Sequence, residues 1–372
     1  HRFDAVVIGA GMAGAVAASS LAETLPRVAL IEAEETAGYH ATGRSAAIWI
    51  LNYGPPDVRA LTGASRAFLE APPPGFAKAP LTRRRAVVFL APEVQRAHLA
   101  EMVASGEGLE WIDPAEIRAA VPVLRPDYAV AAAIERDAFD IDVAALHQGW
   151  LRRLRAKGGT LALRHRAGRI ERSGGAWRVE TSGGGVFAAP VLVDTAGAWG
   201  DEVARLAGVA PLGLQPKRRT ALIIDPGAHD CVDWPLLNDA GHTWYVRPEA
   251  RRKLLVSPAD ETDMDPHDVQ PDELDVAIAI DRMQQALDIP VRHVEHRWAG
   301  LRTFTPDRSL AIGPGEAPGF FWMCGQGGYG IQTAPAAGRL LAALATERDP
   351  GPALAPVVPL VDPRRFARLS AP

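Results

Sequence analysis

The sequence holds only two cysteines, Cys231 and Cys324, far apart and without a CxxC pair or Cys/His spacing. That argues against a disulfide framework or a structural zinc and makes a reducing compartment the default. The ten histidines are scattered, with no HxH or HxxxH pair. No metal site is expected, and His40, His147 and His165 read as ordinary polar or internally satisfied residues. No apolar run is long and uninterrupted enough to span a bilayer. An excess of one charge is lacking too: 40 Lys and Arg against 44 Asp and Glu leave a net charge of −4. The basic runs Arg83-Arg84-Arg85 and Lys217-Arg218-Arg219 have no aromatic platform beside them, so neither nucleic acid nor an anionic membrane is indicated as a partner. No secretory leader is visible, and a cytoplasmic location is expected, with loose membrane association left open. The chain shows no internal repeat and no long low-complexity segment.

What is present is an ordinary folded composition, 48% hydrophobic and 23% charged over 372 residues, enough for about two domains. The most informative stretch is AVVIGAGMAGAVAASSLAETLPRVALIE at 5–32. It reads as a strand at 5–8, a Gly-rich turn, a helix-compatible segment at 15–25 and a second strand at 28–31. Gly9 permits the tight turn, Gly11 lets a pyrophosphate reach the backbone, and Gly14 lets helix and strand pack closely. The helix N-terminus offers free N–H groups and a positive dipole end to the phosphates. Glu32 ends the second strand where a carboxylate accepts both hydroxyls of an adenosine ribose, and it would repel the 2′-phosphate of NADP. A second helix does not follow. The polar loop GYHATGRSAA at 38–47 does, which suits an extended flavin better than a nicotinamide.

Further on, a helix is expected at 141–157, then short strands at 160–163, 168–172 and 177–181. A buried strand follows at 190–194, opening onto Ala196, Gly197 and Trp199. Residues 215–302 mix strand-like runs at 220–224, 243–246 and 254–257 with a helix at 271–287. At 321–333 the run FWMCGQGGYGIQT brings glycines against a flat ligand, and a helix expected from Ile331 aims its N-terminus there. That positive end would favour negative charge on a reduced flavin. Arg302 follows a short apolar run, and Arg219 leads into an apolar strand. A guanidinium in such a site is costly unless paired, and a substrate carboxylate supplies the pair with two parallel hydrogen bonds. Tyr245 could add its hydroxyl.

The Gly9–Gly14 unit, Glu32, the loop 38–45, the strand ending in TAGAW at 195–199 and the late GGYG make the chain resemble the FAD-dependent D-amino-acid oxidase superfamily. Within it the chain is most similar to the bacterial D-arginine dehydrogenase group, over nearly its whole length. The resemblance implies an α/β fold, with an FAD-binding βαβ (glutathione-reductase-like) domain at 1–46, 141–210 and 303–372. An interleaved α+β substrate domain on a mainly antiparallel sheet would take 47–140 and 211–302. It also implies a noncovalent FAD and a hydride moved from a substrate Cα to flavin N5. The imine product hydrolyses to a 2-oxo acid plus ammonia. Carried over position by position, FAD would meet Gly9, Gly11, Met12, Ala13 and Gly14, then Glu32 and Ala33. Thr42, Gly43, Arg44, Ser45, Ala46 and Ala47 would follow, with Ala167, Ala196, Gly197, Trp199 and Arg302. Gly327, Gly328, Tyr329, Gly330, Ile331 and Gln332 would complete the set. Arg219, Arg302 and Tyr245 would hold the substrate carboxylate, Tyr53 would close over it, and the Gly328 backbone would sit near the amine.

One departure bears on specificity. Members acting on basic D-amino acids carry a Glu that would face the guanidinium. This chain has Val87 there, and Ile48 and Ile50 replace His and Thr, so a neutral or apolar D-amino acid with a free carboxylate is the expected substrate. Asp239, Glu249 or Asp260 remain candidates to replace the missing acid. Leu254 aligns with a lysine that activates oxygen in sarcosine-oxidase-like relatives, so the expected electron acceptor is a quinone or other non-oxygen carrier. Oxidation of a secondary or N-methyl amino acid, or a FAD-dependent 2-hydroxy-acid dehydrogenase, fits the same residues.

Overall fold

The computed structural model describes residues 1–366, so the last six residues of the expected 303–372 segment lie outside the described residues. The N-terminal strand Ala5–Ile8 is central to a six-stranded sheet. Val28–Ile31 and then Thr160–Ala162 lie on one side of it, and Val191–Asp194, Phe320–Cys324 and Ala311–Pro314 on the other. All neighbours are parallel except the last pair. Ala5–Ile8 and Val28–Ile31 are buried throughout, as strands covered on both faces must be, and so they read as unbroken apolar runs.

Alternation along these strands assigns the two faces. Ala5, Val7, Leu30 and Val193 join the core under the helices Met12–Leu21, Val143–Ala156 and Ala334–Ala345. Val6, Ile8, Ala29, Ile31 and Leu192 join Ile170, Trp177, Val179 and Phe187. These last four belong to a three-stranded antiparallel sheet formed by Ala167–Ser173, Ala176–Thr181 and Val186–Ala189.

A nine-stranded sheet carries the second half of the site. From one edge run Thr262–Asp263, Gln215–Ile224, Lys253–Ser257, Tyr245–Glu249, Leu236–Asp239, Val87–Ala91, Ala131–Glu135 and Leu109–Ile112, while Val294–Phe304 pairs with Gln215–Ile224. Only Leu236–Asp239 and Val87–Ala91 pair in parallel. The helix Glu273–Ala286 packs its Val276, Ala279 and Met283 beneath it, with Leu222, Val246, Leu254 and Val256. A small sheet of Ile48–Trp49, Phe139–Ile141 and Thr82–Arg84 and the helix Pro56–Glu70 share the first core through Trp49, Leu61, Leu69 and Phe139.

Several boundaries differ from the sequence reading. The first helix starts at Met12, straight after Gly11, and ends at Leu21. The helix expected from Ile331 starts at Ala334, with Pro335 in its first turn. Pro is preorganised for that place because its missing N–H needs no partner there. Asp142 caps its helix by accepting from Ala145 N, and Asp272 does so from Leu274 N. The strand expected at 243–246 runs from Tyr245 to Glu249, because Asp239 ties residues 239–244 into a turn. Its carboxylate accepts from Thr243 N at 2.6 Å and Trp244 N at 3.2 Å.

Candidate active site

Two adjoining cavities meet where the sheets face each other, sharing Ser45, Ala46, Arg219, Tyr245, Arg302, Gly328 and Ile331. The first lies over the C-terminal ends of Ala5–Ile8 and Val28–Ile31, the place where doubly wound sheets bind nucleotides. Gly9 has φ +98°, and a Cβ there would stand 2.9 Å from Thr195 O. A Cβ on Gly14 would stand 1.7 Å from Gly9 O and 2.7 Å from Thr195 Oγ1. The turn therefore requires glycine at both positions. Thr195 Oγ1 donates to Ile8 O at 2.7 Å, and Met12 N donates to Thr42 Oγ1 at 2.8 Å. Glu32 faces the cavity and accepts from Ala10 N at 2.6 Å and Glu34 N at 2.9 Å. A glycine cradle, a helix N-terminus and a carboxylate at the second strand end fit the adenosine half of FAD.

Most expected cofactor residues line this first cavity: Gly9, Gly11, Met12, Ala13, Glu32, Ala33, Thr42, Arg44, Ser45, Ala46, Ala167, Ala196, Gly197, Trp199, Gly327, Gly328, Gly330, Ile331 and Arg302. Ala47, Tyr329 and Gln332 line the second. Gly14 and Gly43 line neither. Gly14 backs the turn, and a Cβ on Gly43 would stand 2.7 Å from Gly38 O, so both shape backbone instead of facing the ligand. The Arg44 guanidinium is already engaged within the protein. It pairs with Asp268 and donates to Val269 O and Ala299 O, each at 3.1 Å.

Two histidines support the site: His147, on the helix Val143–Ala156, and His40, inside the loop 38–47. Burial holds His147 below the ordinary histidine pKa, and its neutral ring, with the proton on Nε2, donates to Ala10 O at 2.9 Å. His40 lines the first cavity, with its ring 4.6 Å from that of Trp199.

The second cavity, about 860 Å³, brings together the residues expected to bind a carboxylate. Arg219 stands opposite Gly300 and Lys217 opposite Arg302 on antiparallel strands, so the two arginines are diagonal neighbours on one face. The Arg219 guanidinium donates from Nε to Asp260 O at 2.9 Å and meets Glu261 at 3.4 Å. Burial and the charge of Arg302 push its pKa below the ordinary arginine value. Arg302 Nη1 donates to Tyr53 Oη at 3.3 Å. Tyr245 meets Ser257 and Arg219; burial raises its pKa, but the charges of Arg302 and Arg219 prevail and lower it. Gly328 borders the same point. A Cβ there would lie 2.8 Å from both Arg302 Nη1 and Tyr53 Oη. The structure thus brings Tyr53, Arg219, Tyr245, Arg302 and Gly328 together.

Ile48 and Ile50 line this cavity, but Val87 does not. Val87 is fully buried in the sheet, and Phe89, two residues along the same face, reaches the cavity with Leu236 and Met102. Polar lining residues that the sequence reading missed include Asn52, Arg59, His98, Asn238 and His242. The candidate replacement acids are all engaged. Asp260 accepts from Thr220 N at 2.6 Å and Thr220 Oγ1 at 3.0 Å. Asp239 is buried and accepts from Gln95 as well as from its own turn. Glu249 pairs with Arg247. Leu254 sits in the core under the sheet, and Lys253 pairs with Asp225 and Glu295. Among the described residues no lysine lines either cavity. Among the described residues, no cluster of His, Cys, Asp or Glu could hold a metal, and no helix is long and apolar enough to cross a membrane.

Comparison with known proteins agrees with this geometry. A family model described as DAO, FAD dependent oxidoreductase, matches residues 4–344. FAD-dependent oxidoreductase domain-containing protein 1 from Bos taurus is 25% identical over 176 residues, 42% of this chain and 36% of that protein. Its Xenopus laevis namesake is 26% identical over 177 residues, 41% of this chain and 34% of that protein. The chain spans about a third of the length of these curated relatives. Glycine oxidase from Geobacillus kaustophilus superposes with a TM-score of 0.84 at 21% identity, covering 96% of this chain and 98% of that one. L-proline dehydrogenase from P. horikoshii gives 0.85 at 19% identity and covers all of both chains. Iminodiacetate oxidase from Chelativorans sp. BNC1 gives 0.80 at 19%, covering 95% of this chain and 98% of that one. At these identities the likeness shows the fold.

Proposed function

Because this chain belongs to the FAD-dependent oxidoreductase family, whose model spans most of its length, we propose that it oxidises a D-amino acid with a neutral, apolar side chain. The amino acid loses two electrons and two protons to become an imino acid, which water hydrolyses to a 2-oxo acid and ammonia. FAD, held without a covalent bond, supplies the two-electron acceptor. Arg219 and Arg302 hold the substrate carboxylate through paired hydrogen bonds. The protonated Tyr245 phenol adds a donor, Tyr53 covers the site, and the Gly328 backbone lies beside the amine. On this reading residues 1–46, 141–210 and 303–372 hold the cofactor, and 47–140 with 211–302 hold the substrate.

The observation that carries the proposal is Arg302, which makes no ion pair among the described residues and lies beside Arg219 on one strand face. Two adjacent guanidiniums repel each other, and a bound carboxylate relieves that repulsion. Two features support the neutral side chain: the apolar wall of Ile48, Ile50, Phe89 and Leu236, and the hydrogen bonds and ion pairs that already occupy Asp260, Asp239 and Glu249, of which Asp260 alone lines the cavity. The absence of a lysine lining the described cavities favours a quinone or another non-oxygen acceptor. Product stoichiometry tests the reaction. One 2-oxo acid and one ammonia should appear for each two electrons passed to an artificial quinone. A 2-oxo acid formed without ammonia would assign the site to 2-hydroxy acids instead.

A further inference from the structure

One buried carboxylate near the site is not explained by binding of cofactor or substrate. Glu135 ends the strand Ala131–Glu135, opposite Val87 on one side and Leu109 on the other. It is 2% exposed, forms no ion pair among the described residues, and lines neither cavity. Such a carboxylate persists only if its oxygens are well supplied with donors. All its donors come from two consecutive residues. Leu51 N donates to Oε1 at 2.6 Å, and Asn52 donates to Oε2 from N at 3.3 Å and from Nδ2 at 2.8 Å.

The next residue is Tyr53. Asn52 is also clasped from behind: its Nδ2 donates to Glu107 O and its Oδ1 accepts from Glu107 N, each at 2.9 Å. Beyond Tyr53, Arg59 Nε donates to Gly54 O at 3.0 Å. Gly54 is confined at φ +95°, where a Cβ would meet Val58 and Tyr329 at 2.9 and 3.0 Å. The tyrosine that touches Arg302 is therefore carried by a loop pinned on both sides of it.

We propose that Glu135 is a positioning residue of the substrate site, fixing the backbone of Leu51 and Asn52 so that Tyr53 meets Arg302 over the bound carboxylate. The role rests on the amino-acid oxidation proposed above. It also explains why a carboxylate stands at the end of the otherwise apolar strand AAAIE.

The test is a double-mutant cycle on the FAD-loaded enzyme with the wild type's best amino acid. Glu135→Gln keeps the volume but has a single acceptor oxygen, so at least one donor of the loop loses its partner. We expect it to raise KM about tenfold and to change kcat less than about threefold, because it loosens the substrate clasp and leaves the chemical centre in place. In a Tyr53→Ala background the same substitution should change KM by less than about twofold, the non-additivity expected when one residue acts through the other. Two results would overturn the proposal: a KM within about twofold of wild type in Glu135→Gln, or a full penalty repeated on top of Tyr53→Ala. If Glu135→Gln does not accumulate as folded, FAD-containing protein, Asn52→Ala is put through the same cycle, and the same two results would overturn the proposal there. Failure of the functional reading would show separately, as wild-type flavin that no amino acid reduces. Hydrogen exchange then decides: faster exchange of the amides at 51–53 in Glu135→Gln holoenzyme sustains the positioning role, and unchanged exchange ends it.

Discussion

Arg302 and Arg219 share one face of two paired antiparallel strands, a diagonal step apart, and only Arg219 has a carboxylate in contact with it. In the proposed function a substrate carboxylate would complete that arrangement. Replacing Arg302 with Met should weaken kcat/KM by about 2–4 kcal/mol, the scale for removing one partner of a desolvated charge pair. FAD content should stay near normal, because the adenosine cradle lies at the other end of the first cavity. Steady-state kinetics with the best amino acid, together with a flavin count, checks both parts.

Gly328 lies where the two cavities meet. A methyl group there would press on Arg302 Nη1 and Tyr53 Oη at 2.8 Å each. Both atoms end flexible side chains, so the fold should survive while the carboxylate clasp is displaced. Gly328→Ala should therefore retain the thermal midpoint of the wild type and lose on the order of a hundredfold in kcat/KM, as a displacement near one ångström can cause. Thermal unfolding and kinetics on the same preparation separate the two effects.

Tyr245 sets a pH limit. Burial raises its pKa, but the charges of Arg302 and Arg219 outweigh burial and bring it below the ordinary 10.0. In the proposed role the protonated phenol would donate to the substrate carboxylate, and the ionised phenolate would repel it. Activity is thus present below that pKa and is lost as pH rises through it. A pH profile of kcat/KM should show an alkaline limb below pH 10.0, and Tyr245→Phe should abolish this limb while lowering activity at neutral pH.

The nucleotide half of the fold was legible because local rules and global packing coincide there. Strands buried on both faces leave unbroken apolar runs, and the turn at Gly9 and Gly14 has no room for a Cβ. The helix Pro56–Glu70 was not legible. It begins at paired prolines that read as breakers yet serve well in a first turn, and its buried face of Val58, Leu61 and Leu69 is diluted by the hydroxyl residues Thr62 and Ser65. Val87 and Phe89 share a face by strand alternation. Which of them reaches the cavity depends on depth in a sheet whose neighbour, Leu236–Asp239, is remote in sequence. Glu135 left no signal at all, because its partners are a backbone N–H of Leu51 and the backbone and amide of Asn52, far away along the chain.

The central claim is a carboxylate-anchored, apolar-walled site for D-amino acids. Anaerobic reduction of the bound flavin by matched D-leucine, L-leucine, D-arginine and the 2-hydroxy analogue of leucine tests it most directly. Each methylene buried against Ile48, Ile50 and Phe89 contributes about 0.8 kcal/mol. A guanidinium buried there without a partner acid costs several kcal/mol. The account predicts that D-leucine bleaches the flavin and does so more efficiently than D-arginine, while L-leucine and the hydroxy acid leave it oxidised. A flavin reduced faster by D-arginine, or only by the hydroxy acid or L-leucine, would contradict it.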